Sequence, residues 1–198
     1  ALARCPDVLI WGIDVGKQGA AFRHWTTDLP AGTRPAVDAV AGSTEEALAM
    51  IQAAQRAADK RVHHYAPDMK RLNTDLVPIS PEIPQIVVIF DESAELFNYD
   101  GNDPLTKRTR EAAIRLMRTS RQAGVRTILT FTDGNVISVG STDILKYNPV
   151  HVALTGNGAD PQGTSVSKLF GQIKGIDARQ IDAPGAGVAN YGQGPEIH

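Results

Sequence analysis

Two neighbouring carboxylates, Asp91 and Glu92, follow directly on the apolar run Ile86-Val87-Val88-Ile89-Phe90. One acid of such a pair can hold a metal ion while the other, pointing elsewhere, polarises a water. Apolar residues in an unbroken run, without alternation, read as a strand buried on both faces, as in a parallel α/β sheet. The carboxyl ends of such strands are where open α/β sheets bind ligands. The alternative is a buried strand that merely emerges into solvent through polar residues. The strand alone does not decide between the two.

The elements that must position these acids alternate along the chain. Val8-Leu9-Ile10-Trp11-Gly12-Ile13 reads as a first buried strand, ending at Asp14 and a Gly16-Lys17-Gln18-Gly19 turn. Turn formation is the expected role of Asp14 and Lys17. An irregular stretch with Pro30, Gly32 and Pro35 follows. Ser43 and Glu46 form a capping-box pattern, and apolar residues from Ala47 to Val62 recur at helical spacing through about residue 64. Four prolines between Pro67 and Pro84 mark a connector. Beyond the acidic strand, Asn98 to Pro104 reads as a loop and Leu105 to Ala123 as a helix stopped by Gly124. Val125 to Phe131 and Val150 to Leu154 read as further strands, Thr164 to Phe170 as a short helix, and Pro184 to Gly187 as a Gly-rich finish. No internal repeat or low-complexity linker interrupts the chain, so one domain over 1–198 is expected.

The composition excludes more than it proposes. Twenty basic and 22 acidic residues in 198 leave no global field to recruit nucleic acid or membrane, so any basic surface is local. The single cysteine, Cys5, excludes an internal disulfide and a cysteine-rich zinc site, which fits a reducing cytosol. No stretch approaches the roughly 18 apolar residues of a membrane span. His24, His63, His64, His151 and His198 show no ligand spacing with an acid on one face. Trp11 and Trp25 are expected to pack.

Charge concentrates on the 105–123 helix, where Lys107, Arg108, Arg110, Arg115, Arg118 and Arg121 stand against the acid Glu111. Projected at about 100° per residue, these cations occupy a little under half of the circumference. Leu105, Ala112, Ala113, Leu116 and Ala123 lie opposite, while Ile114 breaks the pattern. A solvated face explains such a helix. Contact with phosphates, or charge presented to a neighbouring subunit, explains it too.

Several ordered motifs together resemble one family. A buried strand ending on adjacent acids is the layout of a Walker B strand in P-loop NTPases. Asp91-Glu92-Ser93-Ala94-Glu95-Leu96, then Ser120-Arg121-Gln122-Ala123-Gly124-Val125 and Ile128-Leu129-Thr130, resembles the FtsK/SpoIIIE-type DNA translocases. That family carries a DEAAEL-like Walker B, a GRAAGV-like helix end and a strand leading to a polar sensor. Leu2 to Asp7, through Ile13-Asp14, resembles the strand after the P-loop helix in actinobacterial members, including plasmid-transfer proteins. Pro184-Gly185-Ala186-Gly187 resembles the pGxG-like end of the motor core. The resemblance spans most of the chain.

It implies a RecA-like P-loop NTPase core, α/β, with a mostly parallel sheet flanked by helices, of which 1–198 is the C-terminal part. The implied activity is ATP-driven translocation of double-stranded DNA in chromosome partition or plasmid transfer. A hexameric ring with DNA in its channel, nucleotide between subunits and Mg²⁺ are implied with it. Asp91 would support Mg²⁺ through water, and Glu92 would act as the base that orients the attacking water. Thr132 and Asp133 occupy the sensor position, Arg121 would serve a neighbouring subunit's nucleotide, and Glu95 would cap or pair locally. A cytoplasmic location is expected, with attachment to the inner membrane face through a preceding segment left open.

Two departures qualify this. No Gly-x-x-x-x-Gly-Lys-Ser/Thr occurs in the sequence. In the family the P-loop and its central strand come just before the segment matched here, so a gap in the sheet is expected. The family's sensor reads roughly Ala-Thr-Gln-Arg, whereas this chain has Thr130-Phe131-Thr132-Asp133. A carboxylate there adds like charge beside a γ-phosphate. Two other readings therefore stand: an FtsK-like ATPase of a type VII secretion system moving protein, and a catalytically inactive assembly or binding module with the same fold.

Overall fold

The computed structural model describes residues 5–27, 29–97, 103–132, 139, 141–154 and 187–190. Four short runs build its main sheet: β1 (Val8–Ile13), β2 (Ala39–Ala41), β3 (Gln85–Phe90) and β4 (Val125–Leu129). All neighbouring pairs are parallel, in the order β2-β1-β3-β4. β3, the acidic strand, is therefore interior, with a strand on each side. This explains its unbroken apolar character, because Ile86, Val87, Val88 and Phe90 are all buried.

Helices fill the connections. α1 (Ala20–Arg23) follows β1, α2 (Thr44–His64) and α3 (Ala66–Arg71) link β2 to β3, and α4 (Ala94–Phe97) and α5 (Pro104–Thr119) link β3 to β4. A 3-10 turn over Arg121–Ala123 and Gly124 in the left-handed conformation close the approach to β4. α6 (Thr142–Tyr147) follows, and β5 (His151–Leu154) pairs antiparallel with β6 (Gly187–Asn190) as a separate two-stranded sheet.

The core lies where one face of the sheet meets α2 and α5. Ile13, Ile86, Val88 and Phe90 pack with Ala47, Ile51, Ala54 and Ala58 of α2 and with Ala113, Leu116 and Met117 of α5. The alanines of α2 let the helix approach the strands closely. Side chains alternate along a strand, so Gly12 faces the other side of the sheet from Ile13. There the ring of Phe22 in α1 lies so close that a Cβ on Gly12 would sit 2.6 Å from it.

Local chemistry sets the helix boundaries. Ser43 caps α2 by accepting from Glu46 N at 3.2 Å, and the Glu46 carboxylate returns to Gly42 N at 2.8 Å, a capping box displaced by one residue. Asp103 caps α5, and its hydrogen bonds from the Thr106 amide, then from the Thr106 hydroxyl, hold its carboxyl below its ordinary pKa. Among the described residues no helix is long and apolar enough to cross a membrane.

Several expectations are corrected here. The basic helix ends at Thr119, with 121–123 a separate 3-10 turn, and the third strand stops at Leu129 rather than Phe131. The 67–84 connector contains α3, because Pro67 stands in the first turn of a helix, where a missing N–H costs nothing. The irregular stretch after the first strand holds α1 and β2. Trp11 packs against the core, but Trp25 is 56% exposed. Its carbonyl, accepting from Ala36 N and Val37 N, ties down the loop instead of its indole. Ile114 is partly buried against the core despite its cationic neighbours. The expected gap does not fall within the four strands, which are contiguous; among the described residues β4 has β3 alone as a strand neighbour. The helix expected over 164–170 and the segment 184–186 lie outside the described residues.

Candidate functional site

Parallel pairing brings the distant segments together. The register aligns Ile13 with Phe90 and Phe90 with Leu129, so Asp14, Asp91 and Thr130 leave the same edge of the sheet side by side. Backbone bonds continue past the strand ends: Asp14 N donates to Ala41 O, Asp91 N to Ile13 O and Thr130 N to Phe90 O, at 2.8–3.0 Å. This is the carboxyl edge of an open parallel sheet, where a ligand is expected.

Asp91 and Glu92 meet there as anticipated, with side chains 26% and 33% exposed. Glu92 adopts a left-handed conformation (φ 47°), uncommon for a residue with a side chain. Thr130 clamps this kink from the next strand. Its hydroxyl accepts from Glu92 N at 2.9 Å and donates to Asp91 Oδ1 at 3.0 Å, while its carbonyl accepts from Ser93 N. Ser93 closes the turn from below, donating to Phe90 O from a buried position. The sequence placed Thr130 in the sensor-strand motif but gave the site role to Thr132. Replacing Thr130 by Val keeps the shape and removes both hydroxyl bonds. The expected cost is about 1–2 kcal/mol, read as a lower urea midpoint, since each such bond contributes roughly 0.5–1.5 kcal/mol. An unchanged midpoint would show that the kink is held by backbone alone.

Opposite the acids stands the turn after β1. Asp14 is fully buried, and its two carboxylate oxygens accept from Lys17 N and Ala21 N, both at 2.9 Å. The turn passes through Gln18 (φ 53°) and Gly19 (φ 80°) and presses on Gly42, where a Cβ would meet Gln18 C at 2.7 Å. So held, Lys17 extends its ammonium to 3.2 Å from Glu92 Oε2 and 3.6 Å from Asp91 Oδ2. The hydrogen bond to Glu92, then the charges of Glu92 and Asp91, raise the Lys17 pKa above its ordinary value. Turn formation was thus the right role for Asp14 and an incomplete one for Lys17. Glu95, exposed on α4, packs its stem against the same turn, and a Cβ at Gly16 would lie 3.0 Å from it.

The remaining candidates are not gathered at the pair. Thr132 is exposed two residues beyond Thr130, and Asp133 lies outside the described residues. Arg121 is exposed and precedes β4, whereas the acids lie past the strand's far end, a span of about 16 Å for five residues. Its carbonyl accepts from Arg126, whose guanidinium pKa is lowered by burial and then by the Arg121 charge. On α5, Lys107, Arg108, Arg115 and Arg118 are exposed and Arg110 is half-buried. Arg115 lies 4.0 Å from Asp59 of α2.

Mg²⁺ characteristically takes one or two carboxylates and completes its octahedron with waters and phosphate oxygens. Asp91 and Glu92 supply hard oxygen donors of that kind, so the donor set fits Mg²⁺. Among the described residues no group of three or more His, Cys, Asp or Glu side chains could enclose a metal ion.

Comparison with known folds gives the strand layout a context. A structure of the pCW3 conjugation coupling protein TcpA, in monomer form with ATPgS, superposes with a TM-score of 0.62 at 17% identity, covering 82% of this chain and 44% of that one. The cytoplasmic domain of the Thermomonospora curvata type VII secretion ATPase EccC superposes with a TM-score of 0.60 at 18% identity, covering 96% of this chain and 21% of that one. The chain has the fold of a RecA-like P-loop ATPase core. It spans less than half of the solved TcpA chain and about a fifth of the solved EccC cytoplasmic domain. No protein-family model matches the sequence, and no curated protein sequence does.

Proposed function

We propose that this chain is the Walker B half of an FtsK-like ATP-driven motor that moves double-stranded DNA, in chromosome partition or plasmid transfer. The observation that carries this is the acid pair at the carboxyl end of an interior parallel strand, clamped by Thr130 from the next strand, within a RecA-like fold. The resemblance to FtsK/SpoIIIE-type translocases supports it. So does the likeness to TcpA, a conjugation coupling protein seen with ATPgS.

In this reading Asp91 holds Mg²⁺ through water, with Thr130 fixing its carboxylate. Bound Mg²⁺ neutralises charge on the phosphate oxygens. Glu92, set at the kink by its left-handed backbone, accepts a hydrogen bond from the attacking water and orients it. Thr132 and Asp133, which follow β4 in the sequence, sense the nucleotide. Arg121, remote from its own chain's acids, serves the nucleotide of the next subunit in a hexameric ring on the cytoplasmic side of the membrane.

The likeness to EccC over 96% of this chain favours a second reading, a motor of the same kind that moves protein. One experiment separates the two. ATP hydrolysis by the full-length protein is measured with and without linear double-stranded DNA. Stimulation by DNA is the expected result. Hydrolysis indifferent to DNA, with no DNA binding, favours the protein-moving motor. Neither hydrolysis nor ATP binding would reduce the chain to a non-enzymatic module and overturn both.

A further inference from the structure

Lys17 is built into the acid pair more firmly than an exposed lysine ordinarily is. Its backbone is fixed by the buried Asp14 carboxylate, by the left-handed residues Gln18 and Gly19, and by the close approach to Gly42. At the pair, the two oxygens of Asp91 are divided: Oδ1 takes the Thr130 hydroxyl and Oδ2 faces the Lys17 ammonium. The same ammonium reaches Glu92 Oε2. A cation, or a water in its shell, that comes to Asp91 Oδ2 from the side of the β1 turn therefore competes with Lys17 for that oxygen.

We infer that Lys17 is a tethered counter-ion for Asp91 and Glu92, which a divalent cation displaces on binding. Lys17 keeps both carboxylates ion-paired while no metal is present, and it sets how readily metal enters. It acts on Glu92 as a positioning residue, engaging the carboxylate that is to orient water until the cation arrives. The inference rests on the reading of Asp91 as the support of a divalent cation, and its test separates the two.

The full-length protein, free of nucleotide, is titrated with Mn²⁺ at low ionic strength by calorimetry. Mn²⁺ shares the oxygen-rich octahedral preference of Mg²⁺. Lys17→Met removes the charge and keeps most of the stem. Its Kd for Mn²⁺ is expected to fall by roughly threefold to tenfold, the range for losing one or two exposed ion pairs. Lys17→Arg returns the affinity toward the native value, and adding Asp91→Asn to Lys17→Met abolishes the gain. The difference between native and Lys17→Met narrows as salt screens the pair. A lysine that merely supported the turn would give the opposite sign, because its loss would loosen the acids and weaken the metal. Equal or weaker Mn²⁺ binding by folded Lys17→Met overturns the counter-ion role and leaves the metal site standing. No Mn²⁺ binding by any folded form, either free of nucleotide or with a non-hydrolysable ATP analogue present, overturns the cation site itself, and this inference with it.

Discussion

Glu92→Gln in the full-length protein is expected to lower ATP turnover by about 10²- to 10⁴-fold while nucleotide binding persists. That range is the contribution of a positioned general base, and the amide that replaces the carboxylate can no longer take a proton or carry charge. The substitution is nearly isosteric. The Thr130 hydroxyl bonds the Glu92 backbone N–H, so the clamp survives the change of side chain. A left-handed residue that tolerates Glu at φ 47° tolerates Gln equally. The ion pair to Lys17 is lost, but exposed pairs contribute little to stability, so thermal unfolding should stay close to native. Steady-state hydrolysis and equilibrium binding of a nucleotide analogue check the split. Undiminished turnover would remove Glu92 from the chemistry and point to another base.

That the acid pair's place at the sheet edge could be read from sequence follows from the one strong signal in the chain. An interior parallel strand must be apolar on both faces, and the first polar residues after it mark the sheet's edge. β1 and β3 were legible for that reason, and β4 nearly so. α2 was legible because a capping box and an apolar stripe agree on the same helix. The partners of the acids were not legible. Lys17 and Thr130 reach Asp91 through strand order and register, which pair Val8 with Gln85 and Ile86 with Val125. No local periodicity encodes a choice of neighbour between segments so far apart. β2 escaped because three residues, Ala39 to Ala41, are too short for a period to show. α3 escaped because Pro67 reads with the later prolines as part of a connector, when its place is a first turn. Arg121 illustrates the converse. Its motif was readable, but nothing in the motif said that a residue before β4 stands at the opposite end of the sheet from the strand's exit.

The buried carboxylate of Asp14 carries the second large effect. Asp14→Ala is expected to destabilise the folded chain by about 3 kcal/mol, because two backbone N–H groups lose a charged acceptor and hydrogen bonds to charged groups contribute roughly 1.5–3 kcal/mol each. The amide of Ala21 lies in α1, and the amide of Lys17 lies in the tight turn, so neither finds another acceptor without moving the chain. Gly42, just past β2, presses against Gln18, which leaves the turn little room to relax. Asp14→Asn separates shape from charge. Its single carbonyl oxygen can satisfy one of the two donors while its amide faces the other, so its urea midpoint should fall between native and Asp14→Ala. If Asp14→Ala unfolds at the native midpoint, the backbone bond from Gly19 N to Asp14 O is sufficient to hold the turn. In that case Lys17 would owe its place to the acids it meets rather than to the buried carboxylate beneath it.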